Sequence, residues 1–285
     1  QQAIRESGEK RPRRAYRKWG QQDDLPVGFE TERGTLYHGG AEAFLDSDEG
    51  LRLRGQVKLV FTSPPFPLKR KKRYGNLQGQ EYVDWIGSLA PKLKDLVADD
   101  GSIVIEIGNA WNAGEPTMST LPLEALLEFK KVGDLHLCQQ FVAFNPARLP
   151  GPVEWVNRQR IRVKDAFTHV WWFAPTPRPD ANNRRVLTEY SKAMGKLLSS
   201  GQYNAGTRPS EHDIGAESFL KNNGGAIPPN VLTVSNTRAA DAYQNHCRAE
   251  GIDAHPARMP EELARFFINF ETHAWMTSKA SATSI

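Results

Sequence analysis

Cysteine is scarce: Cys138 and Cys247 are the only two in 285 residues. Two thiols cannot staple a small secreted scaffold. With no leader-like apolar segment ahead of them, they read as buried thiols of a reducing, cytoplasmic environment. Long apolar runs are absent as well, and nothing approaches the roughly 20 residues that span a bilayer. The 7 histidines are scattered without ligand spacing, so no metal centre is expected. Charge is not dominated by one sign. A net charge of +4 and a pI near 9.0 permit a nucleic-acid partner without requiring one. What remains, 39% hydrophobic and 25% charged, is ordinary for one α/β domain with a sizeable core.

One stretch organises the rest: Val57-Lys58-Leu59-Val60-Phe61-Thr62-Ser63-Pro64-Pro65-Phe66. Val57, Leu59, Val60 and Phe61 make an apolar run of the length of a buried parallel strand. Pro64 stops it, because proline has no N–H for the ladder. Pro65 keeps Pro64 out of the helical region, so the chain stays extended past the strand end. Backbone carbonyls are thereby left unpaired beside a hydroxyl and an aromatic ring. Carbonyl and hydroxyl oxygens accept hydrogens from an exocyclic amine, and Phe66 can stack on the ring that bears it. A base inside a duplex reaches such a ledge only when flipped out. The same residues also fit a strand ended by a plain Pro-rich turn.

In chain order, residues 1–34 are polar and basic and are expected to form a flexible arm. Thr35 to Gly40 reads as a short strand with a Gly turn, and Ala41 to Leu45 as a helix. With the strand to Phe61 this makes a parallel strand–helix–strand unit. Gly39 and Gly40 would then share one sheet edge with Ser63 to Phe66. Lys69, Arg70, Lys71, Lys72 and Arg73 form either a solvated loop or a phosphate contact. Glu81 to Val97 has helical apolar spacing, and Ser102 to Gly108 is a second apolar strand. Leu121 to Val132 reads as a helix. Leu137 to Phe144 and Asp165 to Phe173 read as antiparallel strands. Between them lie Arg158, Arg160, Arg162 and Lys164; on an extended segment the alternating three would project from one face. Residues 175–236 are rich in Pro, Gly and Asn, with little periodicity, and hold Arg184, Arg185, Arg208 and His212, side-chain types that read base edges. Ala239 to Glu250 and Glu261 to Phe270 read as helices.

Ser63-Pro64-Pro65-Phe66, Arg70-Lys71-Lys72, Tyr74-Gly75-Asn76, Phe144-Asn145-Pro146, Glu154-Trp155-Val156-Asn157, Val170-Trp171-Trp172-Phe173 and His255-Pro256-Ala257-Arg258 stand in one order. In that order the sequence resembles the bacterial DNA N4-cytosine methyltransferases of restriction–modification systems. The resemblance implies an α/β, Rossmann-like sheet that uses S-adenosylmethionine, with a loop-rich target-recognition insertion. It implies methyl transfer to the amino nitrogen of a flipped cytosine within a short site in double-stranded DNA. It assigns Ser63, Pro64, Pro65 and Phe66 to the catalytic loop. Gly39, Thr62, Ser63, His255, Pro256, Ala257 and Arg258 fall to the cofactor side. Lys69 to Arg73, Arg158, Arg160, Arg162, Arg184, Arg185, Arg208 and His212 fall to DNA. Residues 35–174 would be the catalytic region, 175–236 the recognition region and 237–285 the start of the cofactor-binding region. A cognate restriction endonuclease is implied as a genetic companion.

The sequence departs from that pattern in two places. A Gly-rich turn is expected after the helix that begins near Glu261. Phe266-Phe267-Ile268-Asn269-Phe270 is followed instead by Glu271-Thr272-His273-Ala274-Trp275. Gly40 stands where an acidic residue is expected. The sheet is therefore expected to be incomplete, and a complementing C-terminal polypeptide is a candidate partner. Two alternatives stay open: an N6-adenine methyltransferase, for which Ser63 is the less usual residue, and an inactive DNA-binding remnant.

Overall fold

The computed structural model describes residues 25–67, 77–234, 242–251 and 258–272. The first 24 residues, Lys69 to Arg73 and His255 to Ala257 lie outside the described residues.

The chain opens with a hairpin, β1 (Val27–Thr31) against β2 (Gly34–Tyr37). Two short helices follow, α1 (Ala41–Asp46) and α2 (Asp48–Arg52). Next come β3 (Val57–Thr62), α3 (Gly79–Leu96) and β4 (Val97–Gly108). A small ribbon, β5 (Ala110–Trp111) with β6 (Met118–Ser119), leads to α4 (Leu121–Val132). Strands β7 (His136–Phe144) and β8 (Phe167–Ala174) complete the centre. Beyond them lie α5 (Lys192–Ser200), the short pair β9 (Gly206–Thr207) and β10 (Asp213–Ile214), and β11 (Val231–Thr233). Helices α6 (Ala242–Ala249) and α7 (Glu261–Glu271) close the described chain.

Five strands form the main sheet in the order β11-β7-β8-β4-β3. β3 and β4 are parallel, β8 runs antiparallel to both β4 and β7, and β11 lies parallel to β7. β4 lies between β8 and the edge strand β3, and from Gly101 to Gly108 every residue is buried. Its period-two alternation divides two cores. Ile103, Ile105 and Ile107 face α3 and α4, with Phe129 and Phe173 in the same layer. Val104 faces α7, with Phe141, Val170 and Phe267. The Phe267 ring lies 5.4 Å from Phe61 and 5.1 Å from Phe141, so α7 ties β3 to β7 across the sheet. Burying such a ring contributes about 1.5–3 kcal/mol. β3 is an edge strand: among the described residues its ladder partner is β4 alone, and its other side is open.

Three expectations change. β2 does not enter the main sheet; it pairs with β1, so part of the expected arm is a strand. The parallel unit that was to bring Gly39 and Gly40 alongside Ser63 therefore does not form; both glycines lie exposed between β2 and α1. Residues 159–166 hold no strand, so Arg160, Arg162 and Lys164 do not share a face. Side-chain donors anchor that stretch instead. Arg162 Nε donates to Pro116 O at 3.0 Å, Lys164 Nζ donates to Pro146 O at 2.7 Å, and Arg160 adopts a left-handed φ of 56°.

Candidate active site at the sheet edge

The C-terminal ends of β3 and β4, the N-terminal end of β8 and the C-terminal end of β7 meet along one edge. Ser63, just past β3, is exposed, whereas Pro64 beneath it is buried. The Phe66 ring closes back onto the end of β4. A Cβ built on Gly108 would lie 2.5 Å from two of the Phe66 ring carbons, so only glycine lets the ring seat there. The proline pair thus presents Ser63 to solvent and anchors the loop on both sides.

The register that pairs Thr62 with Ile105 brings Ser63 next to Glu106. Glu106 is buried, at 7% exposure, near the end of β4. Its Oε1 accepts the Thr168 hydroxyl of β8 at 2.8 Å. Burial raises its pKa; hydrogen bonds from Thr168 and Ser63 and the charge of Arg148 pull it back part of the way. Ser63 therefore donates its proton inward, and its lone pairs are left facing out. Arg148 is fixed by a 3.3 Å bond from Nη1 to Phe167 O.

A second polar chain runs behind the edge, on the opposite sheet face from Glu106. Asn109 Nδ2 donates to Asp165 Oδ1 at 2.9 Å, and Trp111 Nε1 reaches Asp165 Oδ2 at 3.4 Å. His169 Nε2 lies 3.0 Å from Asn109 Oδ1, and its Nδ1 lies 3.3 Å from Gln140 Nε2. An amide nitrogen can only donate, so Nδ1 accepts and the imidazole is neutral with its proton on Nε2. Burial lowers the His169 pKa, with Asp165 opposing.

The expected site residues divide. Ser63, Pro64, Pro65 and Phe66 form the ledge, with Ser63 exposed, Pro65 and Phe66 half-buried and Pro64 buried, and Thr62 ends β3 beneath it. Arg258 lies 5.4 Å over the Tyr243 ring. Of the expected DNA contacts, Arg158 pairs with Glu154 at 3.0 Å within one turn. Arg160 is exposed, and Arg162 is turned toward Pro116. Arg184 is exposed beside Asn182, and Arg185 Nη1 donates to Thr272 O at 3.0 Å. Arg208 lies over Tyr203 at 5.8 Å and donates to Asn204 O, while His212 stays exposed. Glu106, Thr168, Arg148, Asn109 and Asp165 were not singled out from the sequence. The available signal was Glu106 itself, a lone carboxylate at the end of an otherwise apolar strand.

The sequence profile of the DNA methylase family matches residues 57–274. Type II methyltransferase M.PvuII of Proteus hauseri is 44% identical over 248 residues, which is 86% of this chain and 72% of that protein. The solved structure of the PvuII DNA methyltransferase (cytosine-N4-specific) superposes with a TM-score of 0.62 at 37% identity. That match covers 84% of this chain and 70% of the other.

Proposed function

The chain belongs to the DNA methylase family, and we propose that within it this protein transfers a methyl group from S-adenosylmethionine to the N4 amine of a flipped cytosine in double-stranded DNA. The observation that carries the reading is Ser63, exposed on a proline-fixed ledge with its hydroxyl proton turned toward buried Glu106. An amine meeting that oxygen donates a hydrogen to it, and the backbone carbonyl of Pro64 offers a second acceptor. Both contacts draw the nitrogen lone pair out of the ring and toward an electrophile. Fixing that geometry supplies much of the rate. Bound S-adenosylmethionine supplies the electrophilic methyl carbon. The proton that the amine sheds has a route through Ser63 Oγ to Glu106, whose raised pKa suits it to hold one. Phe66, next to the ledge, offers the aromatic face for the base.

The described residues fit the acceptor half of this reaction. Thr62 and Ser63 are the candidates for the cofactor side, and no Gly-rich turn is among the described residues next to them in sequence. We propose that the remaining contacts come with a further strand, for which a complementing polypeptide is one source, added to the side of β3 that has no ladder partner among the described residues. The substrate is a short site in bacterial DNA, which sets the work in the cytoplasm with a restriction endonuclease as companion. Arg160, Arg184 and His212, all exposed, and Lys69 to Arg73 are the candidates for its phosphates and base edges.

The experiment is in vitro methylation of unmethylated plasmid DNA, followed by nucleoside mass spectrometry. It is run on the chain alone and with a polypeptide supplying a strand and a Gly-rich turn. N4-methylcytosine is expected, rising with the second polypeptide. N6-methyladenine, or no methylated nucleoside under either condition, contradicts the reading.

A further inference from the structure

The connection from β7 to β8 carries a leucine with nothing to pack against. Leu149 is 83% exposed. The turn that presents it is nonetheless firmly held. Arg148 N donates to Asn145 O at 3.1 Å, and Ala147 N donates to Asn145 Oδ1 at 3.1 Å. Lys164 Nζ reaches the carbonyls of Pro146 at 2.7 Å and Arg148 at 3.4 Å, from the far limb of the same loop. Pro150 follows directly and restricts Leu149 to extended backbone. An apolar side chain is thus held out into solvent on a fixed base.

Its place in the fold is specific. β7 ends at Phe144 and β8 begins at Phe167, so the loop overhangs the edge that bears Ser63 and Gly108. Arg148, the preceding residue, touches Phe167 O and acts on the charge of Glu106, the group that holds Ser63. The same loop carries Arg158 and Arg160, both exposed. An apolar tip directly beside a cation, on the loop over the edge that bears Ser63, matches what a duplex offers there: a phosphate beside a gap between stacked bases.

Resting on the methyl-transfer reading above, we propose that Leu149 is the wedge that enters the duplex as the target cytosine leaves, filling the space the base vacates and opposing its return. Apolar side chains inserted between base steps do this in other DNA-bending proteins, and flipping enzymes must offset the lost pairing. Val163, also strongly exposed, stands between Arg162 and Lys164, whose side chains are turned to backbone carbonyls, and it has no following proline to restrict its backbone.

The test reads flipping, not methylation. A plasmid fragment that the full chain protects from nuclease is resynthesised with pyrrolo-cytosine at each cytosine in turn. With the wild-type chain one position is expected to brighten. Leu149→Ala and Leu149→Gly should reduce that brightening about tenfold on paired DNA, the loss expected for removing one well-buried leucine contact. Replacing the opposite guanine by an abasic site should restore it, because flipping then needs no wedge. Leu149→Met should retain it. At 83% exposure these variants leave the fold intact, and a circular-dichroism melt verifies this. The proposal is overturned if no fragment is protected, if no position brightens, if Leu149→Gly flips as well as wild type, or if the loss persists opposite the abasic site. That last result would mark Leu149 as a general DNA or protein contact. A cytosine that brightens without ever being methylated would leave the wedge standing and sink the reaction instead.

Discussion

Replacing Glu271 with Leu should stabilise this protein, increasingly so as pH rises. Glu271 ends α7 beneath the sheet at 1% exposure, and among the described residues neither carboxylate oxygen has a partner in hydrogen-bonding geometry. Burial pushes its pKa from 4.5 to about 8, with nearby Ser102 offsetting a little. The folded pKa therefore lies above the unfolded one. Below about pH 4.5 the carboxyl is neutral in both states and this site costs no ionisation energy. Between pH 4.5 and 8 the unfolded chain ionises while the folded chain does not, so folding stability falls by about 1.4 kcal/mol per pH unit. By pH 7 that amounts to about 3 kcal/mol, a large part of the 5–15 kcal/mol typical of a domain. Above about pH 8 the loss levels off. The neutral carboxyl, lacking partners, costs about a further 1–3 kcal/mol at every pH. Urea unfolding of wild type, Glu271→Leu and Glu271→Gln at pH 5, 6, 7 and 8 separates the two contributions. Both variants should gain on wild type as pH rises, and Leu should exceed Gln throughout. Above about pH 8, where Glu271 ionises, its charge adds to burial in pushing the Cys138 thiol up to about 11, so thiol labelling at Cys138 in that range should quicken in Glu271→Leu. Parallel stability curves across the pH range would refute this reasoning.

Gly108→Ala places a methyl where the Phe66 ring sits, 2.5 Å from its carbons. Methyl transfer should fall about tenfold or more, while urea unfolding shifts by only about 1–3 kcal/mol, the scale of local overpacking. Ser102→Ala strands the Trp172 indole N–H, which donates to Ser102 Oγ at 2.9 Å, and should cost about 1–3 kcal/mol by the same unfolding assay. Joint replacement of Lys71 and Lys72 by Ala should weaken binding to every duplex alike and flatten the slope of log K against log salt by about 1.8, as expected for two lost phosphate contacts.

Much of the fold can be read from the sequence where period and length agree. Val57 to Phe61, Ser102 to Gly108 and β8 are largely apolar runs ended by Gly or Pro, β7 is apolar over its second half, and α3 and α4 show helical spacing. β11 escapes because three residues inside a Pro- and Asn-rich stretch carry no period; its pairing to β7 is imposed by tertiary contact. β1 escapes because basic composition masks a strand whose residues stay exposed. The arginines at 160 and 162 mislead for the opposite reason. Their alternation is real, but carbonyls at Pro116 and Ile161 recruit Arg162, so the segment never extends. At the site, the Ser-Pro-Pro-Phe ledge is local and legible. Glu106 is not, because its role depends on which strand lies beside β3, and that is decided by the sheet and not by neighbouring residues.

In the proposed reaction Ser63 is the group that receives the cytosine amine. The most direct measurement is the methylated-nucleoside content of DNA from cells expressing the protein, compared with Ser63→Ala. N4-methylcytosine from wild type and none from the variant, at unchanged DNA affinity, is the predicted result. N4-methylcytosine that persists in Ser63→Ala, or methyl groups found on adenine instead, would contradict it.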